Sequence, residues 1–148
     1  MTGMIRLIYH SKVSPGLTAA DISNIYNVSM EWNKSVGIGG VLFSDGKRFI
    51  QMIEGGASII TQLFRKILND GRHFDVTLAV AEPLAERRFG DWGMGLIRNS
   101  DPNVSVLITK MTGSDSFSPE TMGLDELRSL LLLLARLGDD SSLKLFKG

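Results

Sequence analysis

The stretch GGVLFSDGKRFIQMIEGG, residues 39–56, decides the fold of this chain. Two apolar runs, GGVLF and RFIQMIEG, flank the tetrapeptide SDGK. Asp45-Gly46 is a strong hairpin signal, because glycine supplies the positive φ that a tight turn requires. The stretch therefore predicts two strands joined by a tight turn.

One residue of the second strand is unexpected in a buried sheet. Side chains alternate between the two faces of a strand, so Phe49, Gln51 and Ile53 share one face. Gln51 thus lies between two large apolar residues, where an amide without hydrogen-bond partners costs about 1–3 kcal/mol. The sequence therefore predicts that another group in the interior is hydrogen-bonded to this amide.

Strand and helix patterns continue on both sides of the hairpin. The first helix has Thr18 as N-cap and Asp21 three residues later, a variant of the capping box. The element order β-α-β-β-α-β-β predicts an α+β fold: a ferredoxin-like sheet with both helices on one face and the third strand between the first two. Besides the hairpin, the predicted elements are the strand 4–11, the helix 18–36, the helix 57–70 and the strands 76–82 and 87–97.

The C-terminal third predicts helical cover for the other face of the sheet. Residues 99–123 are polar and irregular, with a short helix or strand expected at 104–111. The run LDELRSLLLLLARL, residues 124–137, is apolar on almost all sides and predicts a helix over the uncovered face. Its surplus leucines favour a homo-oligomer or a partner surface. We expect a domain over residues 1–98 and a helical extension over 99–148 within the same globule.

Composition and charge exclude several classes of function. The 148 residues carry a net charge of 0, without the basic field of proteins that bind nucleic acid or anionic membranes. The chain has no cysteine, which excludes disulfides, thiolate metal sites and cysteine nucleophiles. No export signal is evident at the N-terminus, and the longest apolar block, residues 130–135, is too short for a bilayer of about 30 Å. We therefore expect a soluble cytoplasmic protein.

Polar side chains interrupt the apolar faces of four elements and converge on one region. Residues four apart on a helix share a face, so each predicted helix presents two polar groups toward the sheet. The two helices would form the walls of a groove and the sheet its floor, each with polar groups. Such a groove suits a flat ligand with an apolar body and a polar edge. Each residue alone has a structural explanation, such as a satisfied core amide or a solvated ion pair. The residues are Ser29 and Asn33 on the first helix, Lys66 and Asp70 on the second, and Tyr9 and Gln51 on the sheet.

Five motifs in order, LIYHS, N-x4-IGG, FIQMIEG, DGRH and RRFGDWGM, resemble those of the BLUF domain, a blue-light sensor that uses FAD. The resemblance covers about residues 4–97, and the length and helical tail are similar to those of short, stand-alone BLUF proteins. It implies that residues 1–98 bind FAD non-covalently, with FMN or riboflavin as alternatives. Because no covalent flavin adduct is required, the lack of cysteine is consistent with this cofactor.

The resemblance also implies roles for individual residues. Tyr9 matches the photoactive tyrosine that gives an electron and a proton to the excited flavin, and Gln51 matches the glutamine between it and the flavin N5/O4 edge. Trp92 and Met94 match the fifth-strand pair whose arrangement near that glutamine changes on illumination. Asn33 matches the asparagine at the O4/N3 edge. With Ser29 from the groove, the further cofactor-binding positions are Trp32, Lys66, Asp70, Arg72 and His73.

The functional hypotheses differ in what the flavin does. The leading one is a non-enzymatic photoreceptor that signals through the fifth strand and the tail helix to a partner protein of unknown identity. The alternative is a photo-inactive flavin-binding or regulatory module. This alternative stays open because Trp32 stands where the family commonly has Asn or His. A tryptophan there could stack on the flavin ring or compete with Tyr9 as electron donor. A hydrolase of the acylphosphatase type is disfavoured, since no phosphate-cradling glycine loop or nucleophile with an adjacent base is evident.

Overall fold

Five strands form one mixed sheet in the computed structural model, which describes residues 3–89, 95–98, 101–114 and 118–137. In chain order the strands are β1 (Met4–Val13), β2 (Gly39–Ser44), β3 (Arg48–Gly56), β4 (His73–Pro83) and β5 (Gly95–Arg98). Across the sheet their order is β4-β1-β3-β2-β5, with β3 between β1 and β2 as predicted. Neighbouring strands are antiparallel except β2 and β5, which run parallel.

Two pairs of helices cover the two faces of the sheet. They are α1 (Ala19–Ser35) and α2 (Ala57–Leu68) on one face, and α3 (Pro102–Thr112) and α4 (Leu124–Leu137) on the other. The first face carries a core cluster that joins Leu7 and Ile53 to both α1 and α2. The second carries a cluster that joins Ile8 and Met52 to α3 and α4. The ferredoxin-like α+β fold, with helical cover on the opposite face, is confirmed.

The capping box at the start of α1 is present as predicted. The Thr18 hydroxyl accepts the N–H of Asp21 at 3.1 Å, and the Asp21 carboxylate accepts the N–H of Thr18 at 2.9 Å. These two bonds fix where the helix begins, because they satisfy backbone donors that have no partner within the helix. The same helix ends at Ser35, with Val36 as its C-cap.

Several boundaries differ from the sequence prediction: β1 extends to Val13 rather than residue 11, and β4 spans His73–Pro83 rather than 76–82. Helix α2 ends at Leu68 rather than residue 70, because the Asp70 carboxylate accepts hydrogen bonds from Arg72 and forms a turn. Of the helix or strand predicted at 104–111, the structure has the helix, which spans Pro102–Thr112 with Asp101 as N-cap. The fifth strand is described over Gly95–Arg98, and the N–H groups of Arg88 and Phe89, within the predicted strand 87–97, bond to the Glu54 carboxylate.

Helix α4 buries one side and exposes the other. Leu127, Leu130 and Leu134 are buried in the cluster beneath the sheet, whereas Leu124 and Leu133 are exposed. A homo-oligomer or partner surface on this helix therefore stays a prediction. Within the described ranges, no helix has both the length and the apolar character needed to cross a bilayer.

Gly40 lies where β2 approaches β3 too closely for a side chain. A Cβ atom at this position would be 2.2 Å from the carbonyl oxygen of Met52. We expect Gly40→Ala to force the strands apart and lower the free energy of unfolding by about 3 kcal/mol, measured by urea denaturation. Gly56→Ala is the control, because a Cβ atom there meets nothing within 4 Å. Equal losses in the two variants would contradict this account.

Candidate flavin site

A cleft opens between α1 and α2, and β1 and β3 form its floor. It encloses about 580 Å³ when its open mouth is included, within the usual range of small-molecule sites. Apolar side chains make most of the walls, and polar groups lie on the floor, at one end and on the α1 wall. The lining residues are Ile25, Leu42, Phe49, Leu63 and Ile67 among the apolar ones, and Tyr9, Ser29, Asn33, Gln51, Asp70, Arg72 and His73 among the polar ones.

Tyr9 and Gln51 form a buried hydrogen bond in the floor of the cleft. They face each other across β1 and β3, and the Tyr9 hydroxyl donates to Gln51 Oε1 at 2.5 Å. Burial, and then the negative charge of Asp70, raise the pKa of Tyr9 well above its ordinary value, so the phenol is protonated at neutral pH. Tyr9 is therefore the partner that the sequence predicts for Gln51, and the amide oxygen is its accepting end.

Asn33 presents a buried amide to the cleft. It is 1% exposed, and neither Oδ1 nor Nδ2 has a hydrogen-bond partner among the described residues. Its backbone carbonyl is used, accepting the N–H of Ile38 at 2.8 Å. Ser29 lines the cleft one helical turn earlier. Since a buried amide without partners costs about 1–3 kcal/mol, this arrangement suits a ligand whose edge both donates and accepts.

Asp70 and Arg72 form a chelated ion pair at one end of the cleft. Asp70 Oδ1 accepts from Arg72 Nε at 2.9 Å, and Oδ2 accepts from Arg72 Nη2 at 2.6 Å. These bonds lower the pKa of Asp70 and raise that of Arg72. The carboxylate is therefore largely neutralised, while the remaining guanidinium N–H groups can still donate to a ligand.

His73 lines the cleft with both ring nitrogens engaged by the protein. Its Nε2 donates to the carbonyl oxygen of Ile67 at 2.6 Å, and its Nδ1 is hydrogen-bonded to the Ser11 hydroxyl at 2.7 Å. The carbonyl can only accept, so Nε2 carries a proton in this arrangement. The imidazole stands edge-on to the rings of Tyr9 and Phe49. His73 therefore shapes the wall beside Tyr9. The sequence analysis missed Ser11, which lies on the same face of β1 as Tyr9.

Trp32 and Lys66 contact each other instead of lining the cleft. The Lys66 ammonium lies 4.3 Å from the centroid of the Trp32 ring, a cation–π contact between α1 and α2. Neither residue is among those that line the cleft. Their contact with a cofactor therefore stays a prediction. Trp92 and Met94 lie outside the described residues.

The family described as sensors of blue light using FAD, BLUF, matches this chain over residues 4–95. The chain belongs to the BLUF family. The family resemblance read from the five sequence motifs is confirmed. The BLUF chain is also similar to two solved structures over most of their length. One is the photo-activated state of BlsA, at a TM-score of 0.78 and 26% identity, covering 88% of this chain and 94% of BlsA. The other is the dark state of BlrB, at a TM-score of 0.72 and 31% identity, covering 90% of this chain and 98% of BlrB.

Curated relatives of the BLUF chain are longer proteins. It is 24% identical over 130 residues to the blue light- and temperature-regulated antirepressor BluF of Escherichia coli, covering 85% of this chain and 32% of the relative. It is 31% identical over 87 residues to the photoactivated adenylate cyclase subunit alpha of Euglena gracilis, covering 59% of this chain and 8% of the relative. The chain therefore spans about a third of the first relative and less than a tenth of the second.

The residues of the BLUF cleft fit a flavin ring. An isoalloxazine is flat and apolar on its faces and carries carbonyl and imide groups along one edge. The walls supply Ile25 and Leu63 for the faces, and the unpartnered Asn33 amide can both accept from an imide N–H and donate to a carbonyl. Gln51 lies in the floor with its oxygen already held by Tyr9.

Asn33→Leu is expected to separate fold stability from flavin binding. Removing the unpartnered amide should raise the free energy of unfolding of the flavin-free protein by about 1–3 kcal/mol. Loss of the polar contacts should weaken FAD binding about tenfold or more. Urea denaturation of flavin-free protein and a fluorescence titration with FAD measure the two effects. Asn27→Leu makes the same change on the exposed side of α1 and serves as control. A variant with lower stability and unchanged FAD affinity would contradict the assignment.

Proposed function

We propose that this BLUF protein is a non-enzymatic blue-light photoreceptor that binds FAD non-covalently in the cleft between α1 and α2. The observation that carries the proposal is the buried hydrogen bond from Tyr9 to Gln51, beside the unpartnered amide of Asn33. FMN or riboflavin would present the same ring to these residues. The structure of a relative of the chain, BlrP1, has been solved with FMN.

Tyr9 is the redox-active group that the chain places in the cleft floor. A bound flavin supplies the absorption of blue light and, once excited, an acceptor for one electron. Tyr9 is held protonated and donates its only hydrogen bond to Gln51, so an electron lost from the phenol leaves a strongly acidic O–H on that bond. The geometry thus supports Tyr9 as the source of both the electron and the proton.

Gln51 is suited to convert this event into a lasting rearrangement. An amide accepts at one end and donates at the other, so rotation or tautomerisation exchanges the two ends. Gln51 Oε1 now faces the phenol, and the exchange would present a donor on a different side. A donor newly directed at the carbonyl edge of the ring would stabilise the excited state more than the ground state, and would shift the absorption slightly to the red.

The output of this chain is proposed to be contact with a separate effector protein. Its relatives include proteins named as an antirepressor and as adenylate cyclase subunits. We assign light sensing to residues 1–98 and output or homo-oligomer formation to 99–148. The exposed Leu124 and Leu133 of α4 support this division, because they offer apolar surface on the helix that covers the far face of the sheet.

Absorption spectra before and after blue light test the proposal. Protein purified from a host supplied with riboflavin is expected to be yellow and to show a small redshift that reverses in the dark. A flavin spectrum without any shift would reject the photoswitch and favour the photo-inactive module. A colourless protein that also fails to bind added FAD would reject flavin binding.

A further inference from the structure

Glu54 is a fully buried carboxylate on the strand that carries Gln51. It is 0% exposed and lies three residues after Gln51, so its side chain points to the opposite face of β3. Its Oε1 accepts the backbone N–H groups of Arg88 and Phe89, each at 2.9 Å. Its Oε2 also accepts the N–H of Arg88, at 3.0 Å. The carboxylate therefore clamps the connection between β4 and β5.

This clamp holds Arg88 and Phe89 against β3. A buried carboxylate is costly unless it is hydrogen-bonded, and bonds from N–H groups to an ionised acceptor are among the stronger ones in proteins. Arg6 is the cross-strand partner of Glu54 on β1 and shares its face, which adds a cation nearby. On the other side Glu54 is opposite Gly39 of β2, which has no side chain. The carboxylate thus fixes the position of residues 88–89 relative to β3.

The clamped residues lead directly to the helix on the far face. Phe89 is buried in the same apolar cluster as Leu130, Leu131 and Leu134 of α4. Arg88 and Phe89 also line a groove together with residues of α4. A displacement of β3 at Glu54 would therefore change the packing on α4, because the backbone N–H groups of Arg88 and Phe89 are bonded to Glu54 and the Phe89 ring packs with α4.

We propose that Glu54 is a positioning residue that couples the strand of Gln51 to α4. The inference rests on the proposed photoreceptor function and names its signalling route. Rearrangement of Gln51 shifts β3, and the carboxylate transmits that shift to residues 88–89 and through Phe89 to α4. Coupling of this kind requires an element with two arrangements that both sites bias. Here that element is the segment at residues 88–89, which the Glu54 carboxylate holds by hydrogen bonds.

Hydrogen exchange of the full-length, FAD-loaded protein, in the dark and under blue light, tests the inference. Glu54→Gln keeps the size of the side chain but replaces the charged carboxylate, which accepts from the N–H groups of Arg88 and Phe89, by a neutral amide with one accepting oxygen. In the dark, we expect exchange in peptides that cover residues 88–98 to accelerate by about tenfold or more, because charged hydrogen bonds are lost. Under light, the redshift should persist, since Tyr9 and Gln51 are untouched, while the light-minus-dark difference in α4 should disappear.

Glu82→Gln is the matched control. Glu82 also ties the sheet to α4, through Arg128 at 2.8 Å, and bonds to Arg6 within the sheet at 3.3 Å; among the described residues none of these ion pairs reaches residues 88–89. This variant should loosen α4 in the dark and keep its light-dependent difference. A merely structural role for Glu54 would make the two variants behave alike. That outcome would overturn the inference.

The failure of the coupling can be distinguished from failure of the photoreceptor. A redshift in Glu54→Gln with an α4 response equal to that of the wild type would overturn only the coupling. A wild type without any redshift would overturn the photoreceptor and the signalling role of Glu54 together. If Glu54→Gln does not fold, Glu54→Asp keeps the charge on a shorter side chain. Wild-type dark protection and a wild-type α4 response in that variant would likewise overturn the inference.

Discussion

Replacing Gln51 by leucine is expected to leave FAD bound and to abolish the light-induced redshift. The floor of the cleft keeps its shape, because leucine occupies a similar volume and β3 is paired on both sides. The Asn33 amide and the apolar walls also remain for the flavin ring. The shift is lost because leucine has no donor and acceptor ends to exchange.

The stability cost of Gln51→Leu is set by Tyr9. Its hydroxyl loses its acceptor inside a buried floor, which costs about 1–3 kcal/mol, partly offset by burial of the leucine. Light-minus-dark absorption spectra and urea denaturation measure the two effects. Gln62→Leu on the exposed side of α2 is the control and should keep a full shift. A normal shift in Gln51→Leu would reject the amide relay.

Tyr9→Phe is expected to block the photochemistry with little loss of fold. Phenylalanine fills the same space but has no hydroxyl, so neither the electron donor nor the proton on the hydrogen bond to Gln51 remains. Without a donor, the excited flavin should decay by emission, and the fluorescence of the bound flavin should rise severalfold. Fluorescence and light-minus-dark absorption of the purified variant measure this result.

Tyr26→Phe is the matched control for Tyr9→Phe. The chain has only these two tyrosines, and both are buried on the same side of the sheet. Burial raises the pKa of Tyr26 to about 12, but its hydroxyl bonds to the Met30 sulfur and it does not line the cleft. We expect a full redshift in this variant. Equal effects of the two substitutions would contradict a special role for Tyr9.

Trp32 is the other candidate electron donor, and its position argues against that role. The Lys66 ammonium lies over the indole, and a positive charge there disfavours oxidation of the ring. Tyr9→Phe should therefore be inactive without any further change. If a shift persists in Tyr9→Phe and is lost when Trp32→Phe is added, the donor is Trp32.

The hairpin shows how much of the fold could be predicted from local chemistry. Gly46 has φ +84, and Asp45 Oδ1 accepts the N–H groups of Lys47 and Arg48 at 2.9 and 2.8 Å. Both features belong to the residues of the turn themselves, and therefore appear in the sequence. The same holds for the Thr18 cap and for the alternation that places Gln51 on a core face.

Features that depend on distant partners could not be predicted in this way. Alternation places Glu54 on a buried face, but nothing near it identifies backbone groups more than thirty residues away as its partners. The contact of Lys66 with Trp32 likewise depends on how two helices pack. The lack of a partner for Asn33 is visible only once the surrounding groups are placed. The convergence of polar residues on the cleft was predicted from the apolar faces they interrupt, Arg72 and His73 were added by the family resemblance, and contacts of all these residues with a flavin stay predictions.

Tyr9 and Gln51 lie on β1 and β3, and each of these strands has a neighbour on both sides. Opening either strand breaks two ladders of backbone bonds, whereas an outer strand frays by losing one. Warming the protein should therefore loosen β4 well before it changes the spacing between phenol and amide. The pair proposed to sense light thus lies on two strands that are paired on both sides, and we expect its optical response to persist until the whole domain unfolds.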